Sequence, residues 1–289
     1  MIPIEIDGQP FSASEGESVL QAASANGIFI PALCAHPLLK PYGACRLCLV
    51  EVRQNHRTRL VAACAYPAQP GLVVRTASEQ INELRRGIIE LLLARCPQSP
   101  AVRTLAGKLG INETRFPALG PTGERCILCG LCVRVCTELV GAAAISFSHR
   151  GVARRVDSPF SQGSADCLGC CACVAVCPTN AITVRLGLDS LLLEPFNHST
   201  KLAHCLDCGR PVAPLPLVTF AKTRLPAALV IEPRCAECKA NRTARSLATV
   251  AAMTVHVGQP SRPPVRGASS PAAQARDQAA GSRSLSSRA

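Results

Sequence analysis

Seventeen of the chain's eighteen cysteines fall into four groups whose internal spacing is that of metal sites. Cys34, Cys45, Cys48 and Cys64 form the first group, and Cys126, Cys129, Cys132 and Cys136 the second. Cys167, Cys170, Cys171, Cys173 and Cys177 form the third, Cys205, Cys208, Cys235 and Cys238 the fourth, and Cys96 stands apart. Thiolates bind soft iron and zinc. The chemistry on offer is therefore one-electron transfer at iron–sulfur centres, metal-held structure, or both.

Cys126-x2-Cys129-x2-Cys132-x3-Cys136 is repeated by Cys167-x2-Cys170-x2-Cys173-x3-Cys177, the second run followed by Pro178. Three cysteines at successive threes wrap a tight loop round one corner of an iron–sulfur cube, and the fourth is expected to open a helix leading to the other cube. Each [4Fe–4S] centre then takes three ligands from one run and one from the other. The expected sets are Cys126, Cys129, Cys132 and Cys177, and Cys167, Cys170, Cys173 and Cys136. Thr137, not proline, follows Cys136, and Glu138–Asp166 separate the runs more widely than in a compact ferredoxin. Cys171 is surplus, a small buried thiol or an alternative ligand.

In the first group, Cys34-x10-Cys45-x2-Cys48-x15-Cys64 puts three ligands on a loop and one on a later strand. A [2Fe–2S] centre needs two thiolates per iron and irregular backbone whose amides reach the sulfurs; the alternative is zinc. Gly43 suits a loop with positive φ or close approach to a cluster. His36 reads as a supporting or packing residue, because four cysteines already complete the site. In the last group, Cys205-x2-Cys208-x26-Cys235-x2-Cys238 pairs two knuckles across a long stretch expected to be β-rich. This is a zinc-ribbon arrangement, with rubredoxin-like iron as the alternative. His198 and His204 precede it but find no vacancy.

These ligands imply an α+β chain. Residues 1–77 read as a small mixed β domain: Ile2, Ile4 and Ile6 alternate, Asp7-Gly8 turns a hairpin, and Gln9–Ala13 follows. Ser14–Asn26 is a short helical segment with Val19, Leu20 and Ala23 on its apolar face. Leu47–Val52, Leu60–Cys64 and Leu72–Val74 are further strands. Thr76-Ala-Ser-Glu79 fits a capping box ahead of a helix with Ile81, Leu84, Ile88 and Leu91 on one face. Residues 78–124 are a helical connector with a second helix around Val102–Leu109. Residues 125–185 hold the doubled run, 198–250 the four-cysteine module, and 259–289 a basic tail expected to be disordered.

The 289 residues have only 3% aromatics and no tryptophan, so thin cores must lean on bound metal. The formal charge of +12 treats each cysteine as neutral. Four tetrathiolate centres at about −2 each bring it to roughly +4, which the five arginines and one aspartate from Ser261 onward supply. That removes most of the case for a nucleic-acid or acidic-membrane partner. The opening MIPIEIDGQP has no basic or apolar signal region, and no apolar run is long enough for a membrane span. A cytoplasmic, reduced-thiol protein is expected, not a disulfide scaffold.

Cys34-Ala-His-Pro37 followed by Gly43-Ala-Cys-Arg-Leu-Cys-Leu-Val-Glu51 resembles the N-terminal ferredoxin region of the complex I large iron–sulfur subunit. It equally resembles the diaphorase small iron–sulfur subunit of NAD-linked hydrogenases and their formate dehydrogenase relatives. The run from Arg125 to Cys136 carries the same resemblance, which covers about residues 1–185. It implies a β-grasp fold with a [2Fe–2S] centre on Cys34, Cys45, Cys48 and Cys64, followed by a bacterial-type 2[4Fe–4S] domain. Those relatives hold a further cube on one His and three Cys between the two domains. Only Cys96 stands there here, so that centre is expected to be absent and Cys96 to be a packing residue.

No nucleophile–base pair, phosphate loop or flavin fingerprint is present, so no small-molecule substrate is expected. The resemblance implies an electron-transfer subunit of an NAD(P)-linked oxidoreductase. Its partners would be a flavin-containing NAD(P)H-oxidising subunit and a catalytic redox subunit. The alternatives are a free-standing multi-cluster ferredoxin, or a nucleic-acid-binding protein using the ribbon and the arginine-rich tail. The last needs stacking aromatics, and only Phe220 lies between the knuckles.

Overall fold

Alternating Ile2, Ile4 and Ile6 give an opening strand one apolar face, and Asp7-Gly8 supplies two left-handed residues for a tight hairpin (φ +49° and +80°). The computed structural model describes residues 1–119, 124–226 and 232–257. In it, β1 (Ile2–Ile6) pairs antiparallel with β2 (Gln9–Ala13). β3 (Leu49–Gln54) and β4 (Arg57–Ala62) make a second hairpin. β5 (Leu72–Arg75) joins the two, parallel to β1 and antiparallel to β3, giving a sheet of order β2-β1-β5-β3-β4.

α1 (Val19–Ala25) lies across this sheet, its Val19, Ala22 and Ala23 packed with Ile4, Ile6, Val50, Val52, Leu72 and Val74. It starts later than the segment from Ser14 suggested, because Ser18 and Gln21 close a capping box there. Leu20, expected inside, is half-buried. Leu47 and Cys48 form a turn and not the first residues of a strand, which frees both for the site described below.

The helix after the sheet departs from expectation twice. Its cap is Ser78, whose hydroxyl oxygen accepts the Ile81 N–H at 3.3 Å. Thr76 instead donates its N–H and hydroxyl to Asp7, at 2.7 and 2.6 Å, tying the helix start to the first hairpin. Along α2 (Glu79–Arg95), the buried stripe is Ile81, Arg85, Ile89 and Leu93, whereas Leu84 and Leu91 remain 40% and 45% exposed. An apolar reading of the helix passes over Arg85 and slides onto the wrong face. Arg85 can be buried because its guanidinium donates to two backbone carbonyls, Leu47 O (3.1 Å) and Leu49 O (2.7 Å). Ile89→Ala is therefore expected to cost about 2–5 kcal/mol and Leu84→Ala no more than about 0.5 kcal/mol in denaturant unfolding. Equal costs would restore the original face.

α3 (Pro100–Lys108) starts at the Ser99 cap with proline in its first turn and packs on α2. α4 (Leu131–Arg134) runs on as a π-helical turn over Val135–Val140. A small hairpin follows, β6 (Ser146–Ser148) with β7 (Arg155–Asp157), and then α5 (Ala172–Ala175). β8 (Thr183–Leu186), β9 (Ser190–Glu194), β10 (His198–His204) and β11 (Pro211–Pro214) form one antiparallel sheet of order β11-β10-β9-β8. Leu191, Leu193 and Leu202 of this sheet pack with Cys167, Cys171 and Val174.

Between the last two cysteine pairs, the described residues of the expected β-rich stretch hold β11 and then a helix, α6 (Leu215–Arg224). Pro216 in its first turn suits a helix start and not a strand interior. α7 (Ala236–Val257) follows. The chain divides into two compact units, Met1–Cys238 and Lys239–Ala289. The expected disordered tail, 259–289, lies outside the described residues. No described helix is long and apolar enough to cross a membrane.

Candidate iron–sulfur and metal centres

Cys34 and Cys45 lie on the long loop between α1 and β3, Cys48 on the turn that opens β3, and Cys64 just after β4. Gly43 and Arg46 turn the loop with positive φ (+69° and +58°). The four sulfurs converge: Cys34 is within hydrogen-bond reach of Cys45 and Cys64, and Cys64 is also within reach of Cys48. Donation from Cys45, then Cys64, holds the Cys34 thiol down at about 2. Cys64 likewise holds Cys48 at about 7, while Cys45 and Cys64 are pushed up in exchange. The Cys45 N–H also donates to Cys34 Sγ (3.3 Å). His36 secures its own loop, its Nδ1 accepting the Leu38 N–H at 3.3 Å.

The doubled run shows its repeat in the backbone. Leu128 and Gly130 are left-handed in the first run (φ +54° and +77°); Gly169 and Cys171 occupy the same two places in the second (φ +65° and +59°). Gly130 and Cys171 each stand immediately before a short helix, α4 and α5. The surplus Cys171 thus occupies the place of a helix-opening glycine. It is half-buried, not buried, and its thiol donates to Gly169 O at 3.3 Å. Gly169 has little room for a side chain: an added Cβ would meet Thr200 Cγ2 at 2.8 Å and Pro214 Cβ at 3.0 Å. These contacts bring the second cysteine loop against β10 and β11.

The fourth cysteine of each run was expected to open a helix, and neither does. Cys136 sits in the π-helical turn after α4, and Cys177 follows α5. The reason is that each helix begins right after the left-handed residue, so the third cysteine falls in its first turn and the fourth a turn later. This placement crosses the sets. One cavity is lined by Cys126, Cys129, Cys132 and Cys177, and a second by Cys136, Cys167, Cys170 and Cys173, with Cys171 also on its wall.

Burial raises three of these thiols in particular, Cys129 to about 11, Cys173 to about 12 and Cys132 further. Backbone amides reach three of the other sulfurs: Leu128 N–H donates to Cys126 Sγ (3.4 Å), Ala144 N–H to Cys136 Sγ (3.3 Å) and Ala181 N–H to Cys177 Sγ (3.2 Å). Cys34, Cys45 and Cys129 pack into one apolar cluster with Leu47, Ile127 and Leu131. The first site and the first cavity of the doubled run are therefore neighbours. Cys96 is fully buried in that cluster, donates its thiol to Cys126 O (3.3 Å), and is raised by burial to about 12.

The last four sulfurs are closer together. Those of Cys205, Cys208, Cys235 and Cys238 all lie within 4.8 Å of one another, with Cys208 and Cys235 3.7 Å apart. Metal–sulfur bonds of about 2.3 Å in a tetrahedron put sulfurs about 3.8 Å apart, so the spacing suits one metal ion. Cys205 and Cys208 flank the turn from β10 to β11, and Cys235 and Cys238 stand at the start of α7. The Cys235 N–H donates to Cys205 Sγ (3.3 Å) and, as the largest cause, lowers that thiol to about 6. Leu206 N–H to Pro233 O (3.0 Å) and Arg234 to Asp207 (3.1 Å) also join the two knuckles. Neither nearby histidine joins the four: His204 pairs with Asp189 at 3.0 Å, and His198 is half-buried.

Residues 1–79 match the 2Fe-2S iron-sulfur cluster binding domain, and residues 125–181 match the 4Fe-4S dicluster domain. The chain carries two iron–sulfur ferredoxin domains. The ferredoxin region is 31% identical over 204 residues to NADPH-Fe(3+) oxidoreductase subunit alpha of Geobacter sulfurreducens, covering 63% of this chain and 24% of that one. It is 31% identical over 216 residues to the mitochondrial NADH-ubiquinone oxidoreductase 78 kDa subunit of Candida albicans, covering 64% of this chain and 28% of that one. It is 32% identical over 211 residues to NADP-reducing hydrogenase subunit HndD of Solidesulfovibrio fructosivorans, covering 63% of this chain and 36% of that one. The chain thus spans only about a quarter to a third of the length of these relatives. Among solved structures, an NAD+-reducing [NiFe]-hydrogenase in the H2-reduced state aligns at 34% identity and a TM-score of 0.48, over 54% of this chain and 74% of that one.

Sequence reasoning missed Arg85 at the first site, because a charged residue was not sought in a core stripe. The left-handed Leu128 left no signal in its residue type. The Gly130/Cys171 equivalence was open to an alignment of the two runs.

Proposed function

We propose that this chain is the iron–sulfur electron-transfer subunit of an NAD(P)-linked oxidoreductase complex. It would pass electrons between a separate flavin-containing NAD(P)H-oxidising subunit and a catalytic redox subunit. The observation that carries this reading is the shared packing of the cysteine sites. Cys34 and Cys45 pack with Cys129, and Cys132 and Cys177 pack with Cys136 and Cys173. Three centres held there would form one line, without a gap for a mobile carrier.

Iron–sulfur clusters supply reversible one-electron transfer at potentials set by their charge, hydrogen bonds and exposure. Cys34, Cys45, Cys48 and Cys64 would hold a [2Fe–2S] centre, the four converging sulfurs supplying two thiolates to each iron. Cys126, Cys129, Cys132 and Cys177 would hold one [4Fe–4S] centre, and Cys167, Cys170, Cys173 and Cys136 the other. The left-handed loop residues aim backbone amides at the sulfurs, and the apolar wall of Leu47, Ile127 and Leu131 keeps water from the space between the first two sites. Cys205, Cys208, Cys235 and Cys238 would hold one structural zinc in a ribbon-like module. Its four sulfurs all lie within 4.8 Å of one another, a spacing that suits a single ion.

Metal and sulfide analysis of the anaerobically purified full chain, with low-temperature EPR after dithionite reduction, tests this reading. About ten iron from one two-iron and two four-iron centres and about one zinc are expected, with no cluster reduction by NADH or NADPH alone. Fourteen iron would mean that the His/Cys3 cube of the relatives is also present. Eleven iron without zinc would make the last site rubredoxin-like. Reduction by NADH alone would sink the proposal that hydride chemistry belongs to a separate subunit.

A further inference from the structure

Arg85 is 5% exposed and sits in the middle of α2's buried stripe. Such a cation is costly to bury without a counter-charge, yet among the described residues no carboxylate forms an ion pair with it. Asp7 exerts only an electrostatic pull on it, and its two carboxylate oxygens are taken by Thr76. Arg85 donates instead to the carbonyls of Leu47 and Leu49, the two residues flanking Cys48. The Cys48 carbonyl between them accepts the Ala63 N–H at 2.9 Å. All three carbonyls of the Leu47–Leu49 turn are therefore fixed, two of them by one side chain. After desolvation, the largest electrostatic influence on Arg85 is the Cys48 sulfur.

We infer that the missing counter-charge is the first metal centre itself: Arg85 clamps the turn that carries Cys48 and raises the reduction potential of the [2Fe–2S] centre. This rests on the proposed ligand set Cys34, Cys45, Cys48 and Cys64. A two-iron centre on four thiolates is anionic when oxidised and gains a further negative charge on reduction. A fixed cation in a medium of low dielectric favours the more negative state, so its removal makes reduction harder. Arg85 is a positioning and tuning residue; it touches the backbone on either side of a ligand, not the ligand's sulfur.

The test is an EPR-monitored redox titration of the anaerobically purified full chain and its Arg85→Gln and Arg85→Lys variants. In R85Q, the reduced-to-oxidised ratio of the [2Fe–2S] signal at a fixed ambient potential should fall at least tenfold, a drop in midpoint of about 59 mV for one electron. The two [4Fe–4S] midpoints should not move. R85K keeps the charge but cannot span both carbonyls, so its midpoint should lie above that of R85Q and within a tenfold ratio of the unmodified chain. A loaded R85Q centre with an unmoved midpoint overturns the inference. So does a loaded R85K centre that falls by more than tenfold, whether or not R85Q assembles. If the unmodified chain lacks a [2Fe–2S] signal, the ligand assignment fails first and the inference goes with it.

Discussion

Cys177→Ser is expected to remove the iron of the centre formed around Cys126, Cys129 and Cys132, in the other run, and to spare the centre on Cys167, Cys170 and Cys173. Cys177 lines the first cavity with those three cysteines, whereas the second cavity is closed by Cys136. Ala181 N–H donates to the Cys177 sulfur at 3.2 Å, which holds that sulfur in place. A serine hydroxyl is a harder donor with little tendency to ionise and binds iron poorly beside three thiolates. The loss should be about four of the roughly ten iron, with matching sulfide. The reduced EPR spectrum of C177S should match that of Cys126→Ser and differ from that of Cys167→Ser. A C177S spectrum matching C167S would mean that each run closes its own centre, and the crossed assignment would be wrong.

Cys235→Ser is expected to abolish metal binding at the last site and release the segment between the two knuckles, while the cluster iron stays near its original count. Metal binding by such sites contributes about 10–16 kcal/mol in zinc-finger peptides near neutral pH, far more than the protein contacts here can replace. α6, which spans much of the connection, has no fully buried residue. Among the described residues, the other ties between the knuckles include the Cys235 N–H bond to Cys205 Sγ, the Leu206–Pro233 hydrogen bond, the Arg234–Asp207 pair and the exposed Arg210–Glu237 pair, and exposed pairs contribute little. Limited proteolysis should therefore cut C235S between Cys208 and Cys235 at protease concentrations that leave the parent chain whole. Acid should have the same effect on the parent, since protons compete with the metal for thiolates. A metal-free variant that resists cleavage would show that the sheet alone holds the module.

Much of this was legible in the residues because ligand spacing is local. Cys-x2-Cys-x2-Cys can wrap only a tight loop, and Asp7-Gly8 or Gly43 can be read as positive-φ positions from residue type alone. The face of α2 was not legible. Leu84 and Leu91 are as apolar as the residues that are buried, and Arg85 became a core residue only because two carbonyls of a distant turn were there to satisfy it. Thr76 was misread for a similar reason. As a helix cap its sequence context was good, but Asp7, on the first hairpin, offered it stronger partners. The helical α6, in place of a β-rich connection, turned on Pro216 favouring a helix start.

By itself the sequence determined which residues are available for metal chemistry, how they are grouped, and that two of the groups repeat. Thiolate chemistry and short spacings are properties of the chain before it folds. The doubled spacing already implied that each run lends its fourth cysteine to the other centre. Only the tertiary structure decided how the groups lie beside one another. It placed Cys34 beside Cys129 and buried an arginine behind Cys48. Those contacts join residues far apart in the chain, and they depend on how helices and sheets fill space around one another, which no local spacing encodes.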